Sequence, residues 1–294
     1  MNTTQRPPLI DYLQLVRAPA VFTALSNILA AHLIITQGEI AWPQLLLLLG
    51  STAALYTAGM ALNDWFDYRI DLEERPQRPL PSGRIERQNA LFLGLELLVI
   101  GIGLAAYAHI QSMFIAIIIT LLVLLYDGLL KRTLLGSLNM GGCRYFNWLL
   151  GFSFLPLTGD LLIIALPVFI YITSLTLLSR EEEQARHRWV LIFTFVGINA
   201  AGLLISLLAP VPIQEHPLLA LGIVASLFIV SRQLLITYRD FTPARVTATV
   251  KLLLFGIILL DALLVLAFGP WWGALAVLSL MLPGKLLARF MYVT

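Results

Sequence analysis

The sequence predicts an all-α protein, a polytopic transmembrane helical bundle of about nine spans that forms one domain over residues 1–294. Composition is the first observation: 59% of the residues are hydrophobic and 12% charged, with a mean hydropathy of +0.86. A water-soluble fold of that composition would expose more apolar surface than water tolerates. Second, apolar stretches recur along the chain, each approaching or reaching the roughly 20 residues a helix needs to cross about 30 Å of hydrocarbon. Third, every second connection between those stretches carries no Lys or Arg while the others are basic, the asymmetry that orients helical membrane proteins.

The N-terminal segment MNTTQRPPLIDYLQLVRAP lacks the short apolar core and small-residue cleavage site of a secretory signal, so no cleavage is expected. Spans follow at residues 18–37, 43–62, 89–108, 111–126, 140–157, 161–178, 189–209, 217–236 and 246–268. A last stretch, residues 270–282, stops at Pro283-Gly284 and reads either as a short tenth crossing or as an interfacial segment. Connections after odd-numbered spans carry no Lys or Arg, whereas Arg6 and Arg17 precede the first span and Arg69, Arg75, Arg78, Arg84 and Arg87 follow the second. The other connections after even-numbered spans are basic too, which places the N-terminus on the cytoplasmic side. A tenth crossing would bring Lys285 and Arg289 to that side as well. The one cysteine, Cys143, rules out an intrachain disulfide, and no Cys/His cluster has zinc or haem spacing. A redox role has no support, and no nucleic-acid partner is expected.

The segment after the second span mixes five arginines with acids, and acids contribute little to topology. Continuing that span as a helix to Asp71 puts Asn63, Asp67 and Asp71 four apart on one face, with Asp64 three before Asp67. Such a stripe offers hard oxygen ligands over about 12 Å of helix. It suits Mg²⁺ held by few carboxylates while a substrate diphosphate fills other positions. Arg75, Arg78 and Arg84 are placed to clamp phosphate oxygens, since guanidinium pairs with phosphate in a fork geometry. A merely solvated helix end fits less well, because exposed acids at a helix C-terminus oppose the macrodipole by about 0.3–1 kcal/mol each.

NDWFDYRID followed by RPQRPLPSGR resembles the first signature, NDxxDxxxD, of the UbiA superfamily of intramembrane prenyltransferases, complete at Asn63, Asp64, Asp67 and Asp71. The resemblance implies nine spans with functional loops after the second and sixth. It also implies a Mg²⁺-dependent transfer of a prenyl group from its diphosphate to an acceptor, usually an aromatic ring, within the membrane. Asn63, Asp67 and Asp71 would then hold the first metal with Asp64 in support, and Arg17 would reach the diphosphate. Tyr126 and Lys131 match a YxxxK-like element after the fourth span, although here five positions separate them in YDGLLKR.

The family's second signature, DxxxD, belongs at the end of the sixth span, where this chain has SREEE. Ser179 replaces the first aspartate; Glu183 stands for the second, and Glu181 or Glu182 could swing in. A hydroxyl is a weaker Mg²⁺ ligand than a carboxylate. Asn139, Arg144 and Asn147, together with Ser179, look like the divergent UbiA-like subgroup of bacterial ebo gene clusters, EboC, which implies a bacterial inner membrane. Arg144, costly in lipid, should face a polar cavity and serve diphosphate or acceptor, joining Lys131 in catalysis and Asn139 and Asn147 in binding. Glu96 and Asp261 lie within spans, where an unpaired charge costs at least about 2.5 kcal/mol, so both should face the bundle interior. The rival reading is a non-catalytic transporter or isoprenoid-binding protein on the same fold. A CDP-alcohol phosphotransferase is excluded because its DxxDGxxAR signature is absent.

Overall fold

The computed structural model describes residues 8–288, and among them there are helices and no strands. Arg6 and Arg289, used above for orientation, lie outside the described residues. Helix α1 (Pro8–Leu15) and a 3-10 turn (Ala18–Val21) lead into α2 (Phe22–Ile35). There follow α3 (Trp42–Glu74), α4 (Arg87–Ala108), α5 (Ile110–Leu125), a π-helical turn (Tyr126–Leu130) and α6 (Leu134–Phe152). The rest comprises α7 (Gly159–Ile164), α8 (Leu166–Ser179), α9 (Trp189–Leu208), α10 (Pro217–Arg239), α11 (Pro243–Phe268), α12 (Trp271–Ser279) and α13 (Met281–Ala288).

Among the described residues, eight segments are long and apolar enough to cross a membrane, the 3-10 turn with α2 counting as one and α7 with α8 as another. The remaining expected span is α6, whose 19 residues reach about 28 Å but carry Asn139, Arg144 and Asn147 on the buried side. Helices α7 and α8 meet at Ala165 with Pro167 beside the joint, where a missing N–H and the ring's bulk break the helical ladder. Large apolar side chains such as Phe92 and Val99 on α4 and Leu221 and Phe228 on α10 point outward, as expected where lipid is the solvent. Pro270 and Trp272 sit beside Gly38, and Gly284 sits beside Pro19 and Phe22, so residues 271–287 run back along α2 from its Ile35 end to the 3-10 turn before it.

Helix α2 packs against α3, α6, α11 and α12 and so occupies the middle of the bundle. Its approach to α6 depends on Gly151, where a Cβ would meet Ala31 Cβ at 2.6 Å and the Ile28 backbone at 3.2 Å. On α4, Ala90, Gly94, Leu98, Gly101 and Ala105 form the buried stripe, and Gly94 and Gly101 fit closely over Leu62 and Leu55 of α3. That stripe corrects the placement of Glu96. It lies on the opposite, exposed face of α4, because small residues fill the inner one. Gly151→Ala should lower stability in detergent by about 1–3 kcal/mol through overpacking. Gly103→Ala, where nothing lies within 4 Å, should not; thermal unfolding of the two variants checks this.

Candidate functional site

Helix α3 has 33 residues and is about 50 Å long, so it outruns the hydrocarbon by several turns, and the segment 63–71 lies on that extension. Asp64 and Asp71 are buried. Arg78 Nη1 donates to Asp71 Oδ2 at 2.8 Å and to Asp64 Oδ1 at 3.3 Å, and Arg17 Nη2 donates to Asp64 Oδ1 at 3.2 Å. Asp67 pairs with Lys131. Arg17 has left-handed backbone angles, φ 48° and ψ 51°, which cost a residue with a Cβ roughly 1–2 kcal/mol. This kink ends α1 and lets the Arg17 side chain reach α3.

The arginine-rich loop is held on α3 by a small core of Leu15, Ala61, Leu80, Ile85 and Ala90. Arg84 secures it from the other side, pairing with Asp11 and donating to Gln14 of α1 at 3.1 Å and to the Gln77 carbonyl at 2.7 Å. At the end of α5 the Lys131 N–H donates to the Tyr126 carbonyl at 2.9 Å, five residues back. That π-type bond absorbs the additional residue in YDGLLKR. It leaves Tyr126 lining a cavity while Lys131 reaches Asp67.

The cavity, of about 200 Å³, opens beside Asn63, Asp127 and Tyr126 and has largely apolar walls that include Leu55, Ile119, Val123 and Leu254. Tyr56, Thr52, Arg144 and Asn147 line its deeper part. On α3, Tyr56 and Thr52 lie about 10 and 16 Å from Asn63 along the helix axis. Arg144 Nη2 donates to Thr23 Oγ1 at 2.8 Å and Nη1 to Asn27 Oδ1 at 3.3 Å, with the guanidinium 5.2 Å from the centre of the Tyr56 ring. Asn147 Nδ2 donates to Asn27 Oδ1 at 3.2 Å, and its Oδ1 accepts from Thr52 at 2.6 Å. The fully buried Asp261 accepts from Asn27 Nδ2, Ser26 Oγ and Trp148 Nε1, so it faces the interior as expected.

The structure brings together most of the residues singled out above. Asn63, Asp64, Asp67, Asp71, Arg17, Arg78 and Lys131 cluster at the mouth, and Tyr126, Arg144 and Asn147 line the cavity. Arg84 is spent on the α1 contact. Asn139 is buried beside Cys143, whose thiol approaches its Oδ1 at 3.7 Å. Glu183 pairs with Arg75 at 2.8 Å, both well exposed. Ser179 Oγ donates to the Thr176 carbonyl at 3.0 Å.

Glu181 does not swing toward α3. It accepts from the Arg186 and His187 backbone N–H groups at 2.6 and 2.9 Å and meets the His187 ring at 2.9 Å. Burial pushes its carboxyl up, but the bonds from His187 and Arg186 outweigh this and hold it below the usual range. Sequence reasoning missed Asp127, Thr23, Asn27 and Thr52. Asp127 Oδ1 accepts from Asn63 Nδ2 at 2.7 Å. Among the described residues, no three His, Cys, Asp or Glu side chains converge to hold an ion alone. Any divalent cation here would therefore also use the Asn63 carbonyl, water or oxygens of a bound anion, a donor set typical of Mg²⁺.

A model of the UbiA prenyltransferase family matches residues 24–247. The chain belongs to this family. Digeranylgeranylglyceryl phosphate synthase of Methanococcoides burtonii is 32% identical over 160 residues, covering 50% of this chain and 56% of that protein. The enzyme of the same name from Methanosarcina mazei is 37% identical over 125 residues, 42% of each chain. The chain thus spans about half the length of the curated relatives it matches. Among solved structures, one concerned with digeranylgeranylglyceryl phosphate synthase in membranes shares the fold, with a TM-score of 0.67 at 22% identity, over 89% of this chain and 99% of that one. A UbiA homologue from Archaeoglobus fulgidus, bound to DMAPP and Mg²⁺, has a TM-score of 0.55 at 14% identity, over 92% of this chain and 99% of that one.

In this UbiA-family chain Asp64, Asp67 and Asp71 of α3 are paired with its own cations. Arg78→Gln, which strips the cation from Asp71 and leaves Asp64 with Arg17 alone, should cost about 3–5 kcal/mol in metal-free detergent. Arg75→Gln breaks an exposed pair and should cost no more than about 1 kcal/mol. Comparing the thermal unfolding of the two variants measures the difference.

Proposed function

We propose that this chain is a Mg²⁺-dependent prenyltransferase that moves a prenyl group from a prenyl diphosphate to an acceptor inside the membrane. One observation carries the reading: a face of carboxylates interleaved with Arg17, Arg78 and Lys131 stands at the mouth of a largely apolar cavity. Asn63, Asp64, Asp67 and Asp71 would hold Mg²⁺, which, when bound, offsets charge on the departing diphosphate. Once those carboxylates have another counter-charge, Arg17, Arg78 and Lys131 are free to donate to phosphate oxygens, the arginines in fork geometry. The apolar walls keep water from the reacting carbon, and the Tyr56 and Tyr126 rings offer π faces to positive charge developing there.

The acceptor enters the same cavity with a polar or anionic group at Arg144 and Asn147, positioned by Thr23, Asn27 and Thr52. An aromatic acid presents such a group. So does a glyceryl phosphate, the chemistry in the name of the archaeal relatives. The N-terminus and the arginine loop lie on the cytoplasmic side of a bacterial plasma membrane, a placement supported by the cation asymmetry and the subgroup resemblance. A binding protein on this fold is the second reading. It is favoured by the engagement of Ser179 and Glu181 within their own segment and of Glu183 with Arg75.

Asp67→Asn and Asp71→Asn should each weaken Mg²⁺-dependent binding of geranylgeranyl diphosphate by about tenfold or more while the protein remains folded in detergent. Equilibrium binding with labelled diphosphate measures this, and parent-like binding by both variants would sink the metal-site reading. For orientation, single cysteines at residues 38–42, 158–160 and 210–216, in a background lacking Cys143, should react with an impermeant reagent from outside. Cysteines within residues 69–87 should not.

A further inference from the structure

The four aspartates at the cavity mouth differ in how they are neutralised. Asp64 and Asp71 pair with Arg78, Asp64 also with Arg17, and Asp67 with Lys131. Asp127 has no cation within salt-bridge distance among the described residues; its hydrogen bond comes from the neutral amide of Asn63 at 2.7 Å. A carboxylate that lines a largely apolar cavity without a counter-charge is costly. With Asp67 and its own ammonium partner on the neighbouring rung, that charge is placed where a cation would remove the cost.

The backbone shows how it arrives there. The π-type turn sets two rungs between the end of α5 and α3, Asp127 to Asn63 and Lys131 to Asp67, one turn of α3 apart. On the first rung Asn63 gives its Nδ2 to Asp127, and no described residue donates to its Oδ1. An amide oxygen and a carboxylate therefore stand next to each other at the top of the cavity. A small hard cation that takes few protein oxygens and fills its shell with phosphate and water suits that pair. We infer that Asp127 is a carboxylate ligand of the divalent cation that Asn63 and Asp67 would hold, supplied from the turn after α5. The inference rests on the proposed Mg²⁺–diphosphate reading of the mouth and adds an acid from outside both aspartate-rich segments.

The test uses the purified full chain in detergent with Mn²⁺ as the probe ion and inorganic diphosphate as co-ligand, bound Mn²⁺ being counted by electron paramagnetic resonance. Asp127→Asn preserves the shape and can still accept from Asn63 through its own carbonyl, so it removes the charge alone. It should weaken Mn²⁺ binding by about tenfold or more without lowering the thermal midpoint in metal-free buffer. Asp127→Glu, which displaces the oxygens by one methylene, should also shift Mn²⁺ affinity, and it carries the test if the asparagine variant folds poorly. Mn²⁺ affinity equal to the parent's in whichever of these variants folds overturns the inference. Asp67→Asn distinguishes loss of the Asp127 ligand from loss of the whole metal site. If it loses Mn²⁺ while Asp127 variants do not, the mouth still binds metal without Asp127. If none of the variants loses Mn²⁺, the metal site itself is misassigned.

Discussion

Asp64 and Asp71 are buried carboxylates on the extension of a membrane helix, two turns apart, and the Arg78 guanidinium donates to both, at 3.3 and 2.8 Å. The rest of this end of the bundle is arranged around that bridge. Arg78 sits in a loop that packs Leu80 and Ile85 against α1, α3 and α4, and Arg84 ties the loop to Asp11 and Gln14. Arg17 adds a second cation to Asp64 by way of a left-handed kink. Lys131 performs the same service for Asp67 from the opposite wall. Breaking a buried pair by removing one partner is costly, because it leaves an uncompensated charge. The arrangement therefore favours exchange of one counter-charge for another over loss of charge, which is what binding a metal with an anionic diphosphate requires.

Below the mouth, α6 carries polar residues because it holds a hydrogen-bonded network across the middle of the bundle. Thr52 on α3, Thr23 and Asn27 on α2, Arg144 and Asn147 on α6 and Asp261 on α11 join four helices around one guanidinium. Inside a bilayer such groups persist where each has a partner. Gly151 permits the close approach of α2 and α6 that makes those partners available. The network thus holds Arg144 beneath the carboxylates, on the cavity side of the same helices.

How much of this the sequence disclosed depended on the range of the interaction. The stripe Asn63, Asp67, Asp71 follows from helical period alone, and α3 is indeed one helix from Trp42 to Glu74. The apolar spans were equally legible, since each is a local run of suitable length. Asp127 was not, because its role depends on a π-type turn that no local propensity announces and on a neighbour 64 residues away in the chain. Arg84 looked like a phosphate clamp from its loop, yet its partner Asp11 lies on α1, 73 residues before it. Glu96 was placed inward on energetic grounds that held for Asp261. Only the three-dimensional packing shows that the inner face of α4 is filled by small residues pressed against α3.

Prenyl transfer at the ion-paired mouth differs from storage of the isoprenoid in whether diphosphate leaves. The most direct measurement is release of inorganic diphosphate by the purified parent protein incubated with geranylgeranyl diphosphate, with and without Mg²⁺, and with an aromatic acid or a glyceryl phosphate as acceptor. Prenyl transfer gives release that requires Mg²⁺ and is accelerated by one of these acceptors. Tight, Mg²⁺-dependent binding of the prenyl diphosphate with no release under any of these conditions would contradict it and identify the chain as an isoprenoid-binding member of the family.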